Sequence, residues 1–382
     1  MKKEILNYNK HFIDNKDFQI IKKSLFSKQI TQGKFVKEFE KNLSTYTKSK
    51  YCLTTNSAST ALFLCVKSIL INNIATSKKC YISPNTYVAT ANAAILNGLD
   101  IEFIDIDRLT LNMCPTELEK KLIKNRDKNK EKTIVILTHF AGNPCDLKKF
   151  KYLSKKYNLE IIEDASHALG STYGNIKIGN PKFSSYVVTS FHPVKTITTA
   201  EGGAIFTNSK NNMVLIDQLR SNGIIKSKFF QKKYYNQIYP SLNFRMSDLS
   251  ASLGISQLKK INTFIKKRNS IAKFYKKNIK NKNITFQKIQ ENCLSSFHLF
   301  SIQINNLSFK LKIIFMKKIK KQNIMLHNMY IPIYFFDLYK EKTKKSTCRN
   351  AEHYYEKSLC LPIYYDLKNK QIKNLVKELN EV

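Results

Sequence analysis

Lys195 sits in the stretch SFHPVKTITTAEGGAIFTN, which runs from Ser190 to Asn208, between a Ser-Phe-His-Pro-Val lead-in and a Glu-Gly-Gly turn. The chain holds only ten glycines. An adjacent pair, Gly202 and Gly203, therefore marks a place where backbone passes close to something. A lysine amine attacks a carbonyl only when neutral, so a lysine in such tightly specified surroundings is a candidate for a Schiff base with a carbonyl cofactor. Pyridoxal phosphate suits that chemistry and makes three further demands. Its pyridine nitrogen needs a carboxylate, so that the ring stays protonated and withdraws electrons. Asp164 in EDASHALG offers one, followed by small residues that let a flat ring approach. Its phosphate needs backbone N–H groups at a helix start, with hydroxyls nearby. NSAST, Asn56 to Thr60, precedes an apolar helix, and Ser190 adds a hydroxyl. Its ring face needs an aromatic, and Tyr87 in PNTYVATANA opens a helix at the right edge.

Taken singly, each of these has a plainer reading. Lys195 is one lysine among many, Asp164 a helix N-cap, NSAST a capped helix start and Tyr87 a core aromatic. His167 and His192 read as structural hydrogen-bonders. Their order along the chain is what points to one cofactor site: phosphate turn, stacking aromatic, aspartate, lysine turn.

The elements that must carry them are legible as alternation. The segment from Lys22 to Lys50 reads as helical, broken at TQGK (Thr31 to Lys34). YCLTTNSASTALFLCVKSI reads as strand, small-residue turn and apolar helix. CYISPNTYVATANAAILNGLDIEFIDID repeats the rhythm, with a helix from about Thr86. TIVILTHF, LEIIEDASHALG, SSYVVTSFH and GGAIFTN add strands, and CDLKKFKYLSKKYN adds a helix with Asp146 near its start. Strands alternating with helices argue for a largely parallel sheet covered on both faces. Ligands in such sheets gather at the carboxyl ends of strands, where Asp164 and the lysine turn both fall. Beyond about Ser250 the texture changes. DLSASLGISQLKKINTFIKKRNSIAKFYKKNI reads as one long amphipathic helix or two in series. SSFHLFSIQI and NMYIPIY then read as strands between lysine-rich helices. The expectation is a large domain over 1–250 and a smaller α+β domain over 251–382. Lysine-rich stretches at Lys124–Lys132 and Glu341–Ser346 read as solvated loops or helix ends.

A chain of 382 residues with 42% hydrophobic content supports a real core. No apolar run is long enough to span a membrane, and the charged start lacks the apolar centre of a secretory signal. A cytoplasmic protein is expected. The net charge of +37 suggests nucleic acid, but the excess is almost all lysine and spread along the chain. A dedicated binder uses arginine forks and concentrates its charge, so only weak, salt-sensitive association is expected. The eight cysteines show no zinc-type spacing and read as buried thiols.

The segments ITQGKFVKEFE, NSASTAL, ISPNTYVATANA, THFAGNPCDL, IEDASHALGS, SFHPVKTITTAEGG, LRSNGI, NFRMSDLSASLGISQLKK, YIPIY and AEHYYEKSLCLP together resemble the DegT-type sugar aminotransferases almost end to end. The resemblance implies the aspartate-aminotransferase type I fold, α/β, with a mostly parallel seven-stranded sheet in a three-layer large domain. It implies pyridoxal phosphate, a homodimer, L-glutamate as amino donor and a UDP-linked 4-keto-6-deoxy-N-acetyl hexose of a pseudaminic acid type pathway as acceptor. Lys195 would hold the cofactor and later move a proton. Asp164 would bind the pyridine nitrogen, His167 would lie near the ring hydroxyl, and Ala58, Ser59 and Ser190 would bind the phosphate. Tyr87 would stack on the ring. Asn243 would reach the phosphate in the neighbouring subunit, while Tyr8, Thr31, Gln32 and Tyr330 would lie near the sugar nucleotide. Two residues depart from the family pattern: Asn222, and Met329 before Tyr330, each where related chains often carry histidine. Both bear on which sugar is used. Arg220 and Arg245 are open between anion binding and structural ion pairs. A lysine at 195 argues against the related sugar dehydratases, which carry histidine there. Other nucleotide-linked keto sugars (GDP- or dTDP-), and a non-catalytic cofactor-binding regulator of the same fold, are the alternatives.

Overall fold

The computed structural model describes residues 5–72, 74, 76–125, 132–226, 234–343 and 347–382. Much of the two lysine-rich stretches expected as loops lies outside them.

The site is positioned by a seven-stranded sheet. Its strands are β1 (Tyr51–Thr55), β2 (Lys79–Ile82), β3 (Asp100–Phe103), β4 (Thr133–Thr138), β5 (Leu159–Asp164), β6 (Tyr186–Ser190) and β7 (Gly203–Thr207). Their spatial order is β1-β7-β6-β5-β4-β2-β3, and β7 alone runs antiparallel to its neighbours. Every residue of β4, β5, β6 and β7 is buried, as central strands covered on both faces must be. One face packs against α3 (Ala58–Ile71), α4 (Val88–Ile95) and α7 (Lys210–Leu219). The other packs against α2 (Lys34–Thr47), α5 (Pro115–Lys124), α6 (Leu147–Lys156) and the first half of α8 (Asp248–Asn278). This is the three-layer α/β arrangement expected from the alternation.

Register brings the chemistry to one edge. Thr138 pairs with Asp164 at the carboxyl ends of β4 and β5. Ser190, the last residue of β6, pairs with Gly203, which also pairs with Thr55. The expected break at TQGK is real: a first helix, α1 (Asn15–Leu25), is separated from α2 by a turn. Gly33 at the start of α2 has no side chain to cap the helix, and the buried Asp248 of α8 replaces it. Its carboxylate accepts the N–H groups of Gly33, Phe35 and Val36 at 2.7, 2.8 and 3.2 Å.

The long amphipathic segment is one helix of 31 residues. Its second half packs on a separate core with an antiparallel three-stranded sheet, Ile284–Phe286, Phe300–Ile304 and Ser358–Leu361. The terminal helix Asn369–Glu381 closes that core. One sequence expectation fails here. NMYIPIY is not a strand, because it leaves the small sheet and runs over the large one. Tyr330 N–H donates to Asn85 Oδ1 at 3.4 Å and Ile333 N–H to the Pro84 carbonyl at 3.3 Å. Pro332 has no N–H to give a ladder, and a short 3-10 turn follows at Ile333–Phe335. No described helix is long and apolar enough to cross a membrane.

Candidate active site

At the carboxyl edge of the sheet lies a cavity of about 430 Å³. Tyr8, Ala58, Ser59, Tyr87, Asp164, His167, Ser190, Lys195 and Tyr330 all line it. Residues separated by more than 300 positions therefore converge on one space.

The phosphate turn is built by close approach. A Cβ on Gly203 would sit 2.6 Å from the Ala58 nitrogen and 2.6 Å from the Ser57 carbonyl carbon and oxygen. Only a glycine lets β7 lie against the first turn of α3, and this accounts for the Gly-Gly pair beside the lysine. Ser57 caps α3 by accepting the Thr60 N–H at 3.2 Å. The N–H groups of Ala58 and Ser59 find no acceptor among the described residues. They are left for an anion at the positive end of the helix.

Asp164 ends β5, 4% exposed. Its Oδ1 accepts the Ser166 N–H at 3.1 Å and its Oδ2 accepts the Thr90 hydroxyl at 2.8 Å. Across the cavity, Lys195 Nζ has no hydrogen-bond or ion-pair partner among the described residues. Burial lowers its pKa from the ordinary lysine value to about 8, against the opposing pull of Asp164.

His167 is buried and held at both ring nitrogens. Its Nδ1 accepts the Ala141 N–H at 3.3 Å, and its Nε2 lies 3.1 Å from the Tyr330 hydroxyl. With Nδ1 accepting, Nε2 carries the proton and donates to Tyr330. Burial, with the nearby Lys195 charge, pushes the pKa of His167 well below its ordinary value, so the ring is neutral. His298 lies against it with ring centroids 4.3 Å apart and the planes tilted by 39°. Asn9 Nδ2 approaches His298 Nδ1 at 3.4 Å, while Asn9 Oδ1 accepts from Arg268 at 2.8 Å. The guanidinium thus fixes the Asn9 amide so that it donates to His298. Sequence reasoning missed His298, because SSFHLFSIQI reads simply as a strand. Tyr8 lies edge-on to His327, and burial pushes its phenol up to about 12.

Three residues expected at the site do not line this chain's cavity. Asn243 is exposed, bridges Ser221, and accepts the Arg245 N–H through its own Oδ1. Thr31 and Gln32 are exposed at the start of α2, with Thr31 bridged to Ser247. Of the two departures, Met329 lines the cavity. Asn222 does not; it takes a positive φ of 62° in the turn whose carbonyl accepts from Gln237. Arg220 is settled as structural: it ion-pairs Glu40 at 2.5 Å and Asp217 at 2.7 Å, and donates to the Thr54 carbonyl. Arg245 keeps a buried Nε without a partner among the described residues.

Free helix-end N–H groups, an acceptor-only carboxylate and an unpartnered, partly neutral lysine around one cavity fit pyridoxal phosphate. Together with the fold they define a pyridoxal-phosphate-dependent aminotransferase of the aspartate-aminotransferase type. The chain belongs to the DegT/DnrJ/EryC1/StrS aminotransferase family, whose model matches residues 11–380. It is 35% identical over 370 residues to the UDP-4-amino-4,6-dideoxy-N-acetyl-beta-L-altrosamine transaminase of Campylobacter jejuni, covering 97% of this chain and 95% of that one. Among solved structures it resembles Helicobacter pylori PseC, an aminotransferase involved in the biosynthesis of pseudoaminic acid, with a TM-score of 0.90, 31% identity and 99% of each chain covered. It also shares its fold with the PLP-form of Streptococcus pneumoniae Spr1654, with a TM-score of 0.88, 23% identity, and 99% of this chain and 98% of that one covered.

Proposed function

We propose that this aminotransferase moves an amino group from L-glutamate to C4 of a UDP-linked 4-keto-6-deoxy-N-acetyl hexose. The observation that carries the reading is Lys195, whose unpartnered amine shares one cavity with Asp164 and the free N-terminus of α3. Likeness across nearly the whole chain to the Campylobacter jejuni and Helicobacter pylori proteins supports the substrate class.

When bound, pyridoxal phosphate accepts the amino group from the donor and gives it to the keto sugar. Lys195 would hold the cofactor through its amine and, when free, would move a proton at the reacting carbon. An amine with a pKa near 8 can both take up and release that proton near neutral pH. Asp164 would pair with the ring nitrogen and favour its charged form. Ala58, Ser59 and Ser190 would bind the phosphate through N–H groups and hydroxyls, and Tyr87 would cover the ring. The neutral His167 holds the Tyr330 hydroxyl, and Tyr8, Tyr330 and Met329 form the sugar side. Binding of the nucleotide, remote from the reacting carbon, holds the ketone in place.

The reading includes a homodimer. Among the described residues Lys195 is the only lysine or arginine lining the cavity, so a second subunit could add cationic partners for a diphosphate. Around the exposed Asn243, the side chains of Tyr234, Tyr235, Ile238 and Leu242 are also exposed, which suits a covered face. Asn243 then reaches the neighbour's phosphate, with Thr31 and Gln32 near the same interface. A smaller C-terminal domain is supported by the separate core around the small sheet, with the first half of α8 packed on the large sheet. A cytoplasmic setting accords with eight free cysteines.

The test is the absorption spectrum of the purified protein with pyridoxal phosphate, before and after glutamate. A visible band that bleaches with glutamate and returns with a UDP-linked 4-keto sugar is expected. Return of the band only with a GDP- or dTDP-linked sugar would replace the substrate. A band indifferent to every amino donor would favour a regulator.

A further inference from the structure

Beside Asp164 runs a row of buried hydroxyls, two of them at the cavity wall, to which the cofactor contacts above assign no role. Thr90, in α4, donates to Asp164 Oδ2 at 2.8 Å. A carboxylate can only accept, so the single hydroxyl proton of Thr90 is committed. Thr86, four residues earlier, has its Oγ 3.0 Å from that of Thr90. Because Thr90 has already spent its proton, Thr86 must be the donor. Thr138, at the end of β4, donates to Thr86 at 2.9 Å. Thr86, Thr90 and Thr138 are 2%, 0% and 5% exposed, Thr90 wholly enclosed and Thr86 and Thr138 at the cavity wall. Every proton in the row therefore points towards one carboxylate oxygen.

We propose that Thr138, Thr86 and Thr90 form a one-way hydroxyl chain that positions Asp164 and sets where the proton lies between it and the cofactor's ring nitrogen. The inference rests on the proposed cofactor site. Hydrogen bonds in a row polarise one another in a low-dielectric interior. A donor aimed at an ionised carboxylate stabilises its charge. Donors from the chain and from Ser166 N–H both point at the carboxylate and would favour the proton on the ring. Without the chain, the carboxylate would lose that donor and the proton would lie nearer to it. The ring then withdraws electrons less well, and the proton transfers made by Lys195 slow down. The three threonines are positioning residues: they act on the reaction through Asp164.

The experiment uses holoenzyme loaded with pyridoxal phosphate carrying ¹⁵N in the ring. In the wild type, the ¹⁵N resonance should sit at the protonated-pyridine position. Thr90→Val should move it towards the neutral-pyridine position and lower kcat about tenfold with KM within about twofold. Thr138→Val, at the far end of the row and on a strand that accepts valine, should shift the resonance the same way by less. Thr90→Ser, which restores the hydroxyl, should return the signal. If both valine variants keep the wild-type resonance while only Tm falls, the threonines merely pack and the proposal is overturned alone. If the wild type binds no cofactor, the proposed function falls and takes this inference with it.

Discussion

An amine that must attack a carbonyl has to be neutral at working pH, and at Lys195 burial does most of this. With a pKa near 8, about a quarter of the amine is neutral at pH 7.5, against about one part in a thousand for an ordinary lysine. The sign is fixed: burial penalises the charged form, so raising pH through 8 fills the reactive form. Covalent uptake of pyridoxal phosphate by the apoprotein should therefore rise with pH up to about 8 and level off above it. Stopped-flow growth of the visible band from pH 6 to 10 measures this. A rate still climbing steeply at pH 10 would mean that the amine is not depressed. Lys195 and Asp164 were singled out from the sequence by a lysine just ahead of a Glu-Gly-Gly turn and an aspartate at the end of a strand-like segment followed by small residues. His298 and the three threonines were not. Histidine within a strand-like run, and threonine almost anywhere, carry no local signal, and only the register of β4 with β5 brings Thr138 level with Asp164.

At the scale of elements, the site depends on how closely β7 can lie against α3. Gly203→Ala would place a methyl group 2.6 Å from the Ser57 carbonyl and the Ala58 nitrogen. That is backbone, which cannot swing aside. The helix start must retreat, taking with it the N–H groups that face the phosphate. We expect a loss of about 1–3 kcal/mol in stability together with weaker cofactor retention, read by thermal denaturation and by equilibrium dialysis of the holoenzyme. Lower stability with unchanged retention would separate the packing from the phosphate site. The sheet and its helices were readable because fully apolar runs such as TIVILT and helical spacings such as that of α8 are set by burial. The strap at NMYIPIY misled. Its alternating Tyr, Ile and Pro suit a strand, yet its partners, Pro84 and Asn85, come from a loop some 245 residues away in sequence, and no local periodicity reports that.

At the scale of the whole molecule, the surplus of 37 positive charges is spread along the chain, whereas among the described residues a single lysine lines the cavity. Charge therefore says little about the reaction, and the question is what completes the site. If Asn243 serves the neighbouring cofactor, the two defects Lys195→Ala and Asn243→Ala lie in different chains of any one site. Each variant alone should be impaired: the first without the visible band or turnover, the second with weak cofactor retention but an intact dimer. Unfolding and refolding them together at equal amounts gives mixed dimers as half of the population. In each mixed dimer one site receives its own Lys195 and its neighbour's Asn243, and the other site lacks both. Activity at limiting cofactor should then recover to about a quarter of the wild-type value. If Asn243 acted within its own chain, every site in the mixed dimer would carry one defect and nothing would be regained. Gel filtration of the mixture keeps the outcome clean, since recovery requires dimers, and a monomer with full activity would remove the cross-subunit assignment altogether.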